Sequence, residues 1–409
     1  MSATLDAIVV GLGAMGSATL AELAARGRRV LGLDRFVPPH DLGSSHGKSR
    51  IIREAYFEDP RYVPLVQRAY QRWAELERET GRTLVLRTGG LMIGPPRGAL
   101  VSGARLSAET HALPHECLSA AETRAAYPAL RVLDDAIAVR EPRAGVLFPE
   151  ACIAAQLERA RRHGAEIRGD EPALAWAPDG AGVEVRTARG RWRAATLVLA
   201  AGAWLGRLVP ELDLPLTVTR QALFWFTPRA HPERFEPERF PIFIWEDEPG
   251  RFLYGFPDLG DGVKMARHME GEPTDPDGVR REVSEAETEA LRAAVARCIP
   301  DAPGPLRASA VCLYTNTPDQ HFIVDRHPAH EQVVIASPCS GHGFKFASAL
   351  GEVLADLATG AAPAFDLGLF RLDRLPRRGL ARSDPLGPAA REPERSVRAI
   401  APGPRRRDR

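Results

Sequence analysis

The alternation of apolar and polar positions already marks out a framework. Asp6-Ala7-Ile8-Val9-Val10 is a short, almost wholly apolar run, the pattern of a parallel strand buried on both faces. It passes directly into Gly11-Leu12-Gly13-Ala14-Met15-Gly16 and a helical stretch to about Arg26. A second apolar run, Val30 to Leu33, stops at Asp34. Tyr62 to Glu79 carries the spacing of an amphipathic helix. Thr196 to Trp204 (TLVLAAGAW) reads as a further buried strand ending at Gly202. Gln221 to Phe226 and Arg251 to Phe256 alternate as strands of a mixed sheet floor. Phe344 to Ala358 is apolar-periodic and follows the turn Gly341-His342-Gly343. The pattern predicts an α/β chain with a Rossmann-like domain and a second, mixed β-sheet domain.

Strand, glycines, helix, strand and acid in that order form a dinucleotide cradle. Gly11 makes the tight turn, Gly13 lets a pyrophosphate approach the backbone, and Gly16 lets helix and strand pack closely. The helix N-terminus at Ala14 and Met15 offers N–H groups to phosphate, and Asp34 stands where an acid accepts ribose hydroxyls. The fingerprint itself does not separate NAD from FAD. The long loop that follows, Arg35 to Lys48, departs from a bare nicotinamide fold and favours a flavin.

Composition narrows the class. The 409 residues are 44% hydrophobic and 26% charged, which suits a soluble globular chain of about two domains. No apolar run approaches a membrane span, and Met1 to Leu5 leads into a strand without a signal-like region. Five cysteines at positions 117, 152, 298, 312 and 339 make neither a zinc spacing nor an even disulfide set, so a reducing cytoplasm is expected. His321, His327 and His330 fit no zinc spacing either, and Asp325-Arg326-His327-Pro328 reads as a turn; no metal is expected. From Arg377 onward, 10 arginines against 4 acids give +6; the formal total of +1 leaves about −5 for residues 1–376. That Pro-, Gly- and Arg-rich tail reads as disordered rather than as a nucleic-acid binder.

Of 54 Lys plus Arg, only Lys48, Lys264 and Lys345 are lysine. A chain that otherwise uses arginine gives those three positions a separate interest, because a lysine is a compact charge whose pKa can move.

Several segments, taken in order, resemble the monomeric sarcosine oxidase and N-methyltryptophan oxidase family, FAD-dependent oxidases of N-methyl and cyclic secondary amino acids. They are Ser49 to Tyr56 (SRIIREAY), Tyr254-Gly255-Phe256-Pro257, Val263-Lys264 with His268, Val311-Cys312-Leu313-Tyr314-Thr315, and Ser340 to Phe346 (SGHGFKF). The likeness spans residues 5–375. It implies oxidation of a secondary amino acid such as sarcosine to the primary amino acid, formaldehyde and H2O2, with O2 as acceptor. It also implies a monomer with no nucleic-acid or membrane partner.

By that likeness Cys312 bonds the flavin 8α-methyl; a buried, inert thiol is the alternative reading of the residue. Lys264 lies against the flavin and promotes reaction with O2. Arg53 and Lys345 hold the substrate carboxylate, and Arg50 sits nearest the ring; ordinary salt bridges are the alternative for the two arginines. Tyr254, His268 and Tyr314 line the substrate side. Arg35, Ser45, His46, Ser49, Gly202, Gly341 and Gly343 join Gly11, Gly13, Ala14, Met15, Gly16 and Asp34 around the cofactor. Cys339 is expected to be structural. Substrate size is expected to depend on Phe240 to Trp245 and Leu91 to Ile93. The flavin domain is expected over 1–88, 146–215 and 316–376, the substrate domain over 89–145 and 216–315, and the tail over 377–409. The rival functions are a flavin amine dehydrogenase with a non-O2 acceptor and a flavoprotein retired to an interaction role.

Overall fold

Two eight-stranded sheets share the chain between them in the computed structural model, which describes residues 5–375; the basic tail lies outside the described residues. In the first sheet, strand Leu5–Val10 lies between Val30–Leu33 and Gly190–Leu199, parallel to both, and His330–Ser337 extends the parallel run. Ile8, Val9, Leu31, Leu33, Leu197 and Val198 are almost fully buried, which explains why these strands read as continuous apolar runs. Helix Ala14–Ala25 packs against helices Pro149–Arg162 and Ala347–Thr359 beside this sheet.

The second sheet runs in the order Leu306–Asn316, Thr217–Phe226, Val263–His268, Arg251–Asp258, Ile242–Glu248, Gly90–Gly94, Ile137–Glu141, Glu116–Ser119. Only the pairing of Ile242–Glu248 with Gly90–Gly94 is parallel, so the sheet is mixed. A three-stranded sheet of Arg50–Ile52, Gly145–Leu147 and Val85–Arg87 lies between the two along the chain. The chain visits the first sheet, the second, the first, the second and again the first, so residues hundreds of positions apart meet at the seam. No helix among the described residues is long and apolar enough to cross a membrane.

Three local expectations shift. Asp325-Arg326-His327 closes the strand Ile323–His327 instead of forming a turn; the reversal falls at Pro328 and Ala329, since a proline cannot donate to the ladder. The stretch from Phe344 begins as a 3-10 turn, Phe344–Phe346, before helix Ala347–Thr359, and Trp73 Nε1 donates to the Lys345 carbonyl there (3.0 Å). The apolar strand toward Trp204 ends at Leu199, and Gly202–Trp204 is a short 3-10 helix.

Candidate active site

A cavity of about 510 Å³ runs along the seam from Gly11 and Gly13 at one end to His342 and Lys345 at the other. Its first end is made mostly of backbone. Gly11 has φ +86°, and a side chain there would meet Ala200 O at 2.5 Å. A side chain at Gly16 would run into the carbonyl oxygen of Gly11. Gly13 has no side chain to cap the helix and no acid occupies the first turn, so the helix N-terminus suits an anion. Ala14 N donates to Ser45 Oγ (3.3 Å). Asp34 accepts Leu12 N–H (2.6 Å) and Phe36 N–H (2.9 Å), which fixes its carboxylate at the cavity wall. Arg35 lies over the Trp204 ring (4.6 Å), and both it and Trp204 Nε1 engage Asp277 from the second sheet's side (3.0 and 2.7 Å).

In the middle, Arg50 and Cys312 meet. Arg50 Nη2 donates to Ser44 O (2.8 Å) and approaches Cys312 Sγ at 3.3 Å. Cys312 Sγ also donates to Ser44 O (3.3 Å). Lys264 stands behind this wall rather than in it. Its Nζ donates to Gly47 O (2.6 Å), Ser49 O (2.9 Å) and Ser49 Oγ (3.1 Å), one acceptor for each ammonium hydrogen. Burial and then Arg50 push its pKa well down, while the three acceptors suit the charged form. His46 is buried with Nε2 unpaired, and burial lowers its pKa to about 3.

The far end is built of charged side chains. Arg53 is 1% exposed and pairs both oxygens of Glu58 (2.8 and 2.6 Å), with its Nε left unpartnered. Despite burial, Arg53 holds Glu58 at a pKa of about 2. Lys345 Nζ donates to His342 O (2.7 Å), and burial with Arg53 nearby lowers its pKa to about 7. His342 Nδ1 accepts from Tyr56 Oη (2.5 Å) and its Nε2 donates to Gln320 O (2.9 Å). His268 Nδ1 lies 3.3 Å from Tyr314 Oη; burial lowers its pKa to about 4, so the ring is neutral at pH 7. Burial raises Tyr254 to about 12. Gly341, at φ +74°, is needed because a side chain there would strike Tyr314 and His268. Gly343 has ordinary φ, but a side chain would collide with Pro338 O.

Of the site residues named from the sequence, all but Gly16, His46 and Lys264 line this cavity. Sequence reasoning named too much in one place. Of Phe240 to Trp245 and Leu91 to Ile93, only Ile244 faces the cavity; Leu91, Ile93, Phe240, Phe243 and Trp245 fill a core on the sheet's other face, as strand alternation requires. It missed Glu58, Phe57 and Leu223, which line the cavity, and Cys339, expected to be structural, lines it as well. Lys48 is exposed and pairs with Asp261 (2.9 Å), so one of the three lysines needs no chemical explanation.

The site fits FAD. A helix N-terminus with no acid in its first turn opens on the cavity, a Cβ at Gly202 would meet nothing within 4 Å, and the acid Asp34 stands at the end of its strand. Among the described residues no group of three or more His, Cys, Asp or Glu converges as for a metal ion.

A model of the FAD dependent oxidoreductase family matches residues 6–357. The chain is 46% identical over 379 residues to monomeric sarcosine oxidase of Streptomyces avermitilis, covering 92% of this chain and 99% of that protein. It is 36% identical over 371 residues to N-methyl-L-tryptophan oxidase of Salmonella heidelberg, covering 90% and 98%. In fold it is similar to NikD, an unusual amino acid oxidase essential for nikkomycin biosynthesis (TM-score 0.78, 24% identity, 90% of this chain and 97% of that one).

Proposed function

Because the chain belongs to the FAD dependent oxidoreductase family, in the branch of the monomeric sarcosine and N-methyltryptophan oxidases, we propose that it oxidises secondary N-methyl amino acids with O2. The products are the primary amino acid, formaldehyde and H2O2. The observation that carries this is the buried pair Arg53 and Lys345, two cations converging on one end of a cavity whose other end is a dinucleotide cradle.

FAD, when bound, would supply two-electron chemistry, taking one hydride equivalent from the carbon beside the amine nitrogen and passing its two electrons to O2. The chain's residues arrange the rest. Arg53, whose Nη2 meets both Glu58 oxygens and whose Nε is unpartnered, holds the substrate carboxylate, and Lys345 adds a point charge. With Arg50, Arg53 and Lys345 around it, the pocket disfavours an ammonium and favours the neutral amine whose lone pair drives oxidation. Neutral His268, Tyr254 and Tyr314 border the amine without adding charge. Lys264, its Nζ held in place by Gly47 O and Ser49 O, supplies a donor for superoxide developing nearby, which speaks for O2 as acceptor. Cys312, 3.3 Å from Arg50 Nη2 at the middle of the cavity, would hold the cofactor covalently.

In this reading residues 1–88, 146–215 and 316–376 hold the cofactor, and 89–145 and 216–315 the substrate. The enzyme works as a cytoplasmic monomer. Purified protein should release peroxide and formaldehyde from sarcosine or a bulkier N-methyl amino acid. Yellow colour should stay with the acid-precipitated pellet and leave it in Cys312→Ala. Colour in the supernatant of the parent protein would refute the covalent bond alone; peroxide from none of these amines would refute the substrate class.

A further inference from the structure

A buried carboxylate outside the cavity holds the segment that carries Arg53. Glu141 ends a strand of the second sheet, opposite Gly90, and is 1% exposed. Its Oε1 accepts Glu54 N–H (2.6 Å) and its Oε2 accepts Ala55 N–H (2.8 Å). One carboxylate therefore grips two consecutive peptides immediately after Arg53. Those peptides govern the site at two points. Arg53 Nη1 donates to Ala55 O (2.9 Å), and the Arg53 guanidinium lies over the Tyr56 ring at 4.3 Å. Tyr56 in turn meets His342 and lies within 3.5 Å of Lys345 Nζ. A backbone that slid here would misplace both cations that face the carboxylate.

We infer that Glu141 is a positioning residue for substrate carboxylate binding: by bridging Glu54 N–H and Ala55 N–H it fixes the Arg53–Tyr56 turn against Lys345. The inference rests on the reading of Arg53 as the carboxylate anchor. Both oxygens of Glu141 act as acceptors, so the ionised form is the one that grips; a proton on either oxygen releases one peptide. The groups that face it are Glu54 and Arg53 on the held segment and Tyr70 on helix Val63–Thr80, with Arg143 and Arg87 facing Glu54. Burial and the Glu54 charge raise Glu141 to about 7, so the grip loosens as pH falls through neutrality.

The test uses the FAD-loaded enzyme and titrates acetate, a bare carboxylate, against the flavin visible spectrum, with acetamide as a neutral control. Glu141→Gln keeps one acceptor and should weaken acetate about tenfold at pH 8.5, the scale of one charge-assisted hydrogen bond, with acetamide unaffected. KM for the amine should rise in step while kcat moves less than about twofold, and the gap from wild type should close below about pH 6, where wild type is itself protonated. Glu54→Gln, which removes the neighbouring charge, should keep acetate affinity at pH 8.5 and carry it to lower pH than wild type. An unchanged acetate Kd in Glu141→Gln, or a gap constant across pH, overturns the inference, as does a Glu54→Gln profile superimposable on wild type should Glu141→Gln not fold. If wild type and Arg53→Met bind acetate equally, the anchor reading fails instead.

Discussion

The two ends of the cavity are built by opposite means. At Gly11 to Gly16 the wall is backbone: Gly11 and Gly16, which admit no Cβ, a helix N-terminus and peptide N–H groups held by Asp34 and Ser45. At Arg53 to Lys345 the wall is side chain, with two buried cations, one buried acid and a histidine bridged on both nitrogens. A backbone cradle is set by a few consecutive residues and tolerates only glycine at its two tightest points, Gly11 and Gly16. A charged end is set by elements about 290 positions apart and is costly unless every charge finds a partner. The first end therefore fails all at once when altered, and the second by degrees.

Gly16→Ala should break the comparison most severely. Its methyl group meets the Gly11 carbonyl, backbone against side chain with neither free to yield, and overpacking of this kind costs about 1–3 kcal/mol or more. FAD retention, read as the ratio of flavin to protein absorbance, should collapse along with all activity. Lys264→Gln should slow the O2 half-reaction by about 10²–10³-fold, the scale of one lost charge-stabilising donor, while anaerobic reduction by the amine changes little. Stopped-flow mixing separates the two; equal slowing of both would remove Lys264 from oxygen chemistry. Arg53→Met leaves Glu58 buried without its partner and should cost about 2–5 kcal/mol in kcat/KM, mostly through KM. A loss confined to kcat would place Arg53 at the reacting carbon rather than at the carboxylate.

The smallest effect sharpens the contrast through pH. Lys345 titrates near 7 in the fold against 10.5 when exposed. Between those values the unfolded chain binds more protons than the folded one, so this group adds stability as pH rises from about 7 toward 10.5. Acetate binding moves the other way, because the ammonium that attracts it is lost. The acetate affinity ratio of wild type to Lys345→Met should be several-fold below pH 7 and approach one above pH 8; a flat ratio would show that Lys345 does not meet the carboxylate.

The same contrast explains what the sequence revealed. The cradle could be read residue by residue because strand, turn and helix are local. Lys264 and Lys345 stood out because this chain otherwise uses arginine, and both are buried. Glu58 and Glu141 gave no such signal. Acids are common here, and only the meeting of the Arg53 loop with the end of the strand Ile137–Glu141 brings these two to the site. The pocket wall was overestimated at Phe240 to Trp245 because alternation sends neighbouring residues to opposite faces, and sequence does not say which face is the cavity.

The weave between sheets also sets when the enzyme can acquire its cofactor. Cavity walls come from Val10 and from Lys345 alike, and the strand beside Gly190–Leu199 is His330–Ser337. A chain emerging from the ribosome exposes its glycine cradle early but owns no closed chamber until nearly all of it has been made. Flavin capture is therefore a finishing step, performed on a completed polypeptide, and a cell that outpaces its flavin supply will accumulate whole chains waiting to be filled rather than half-built ones.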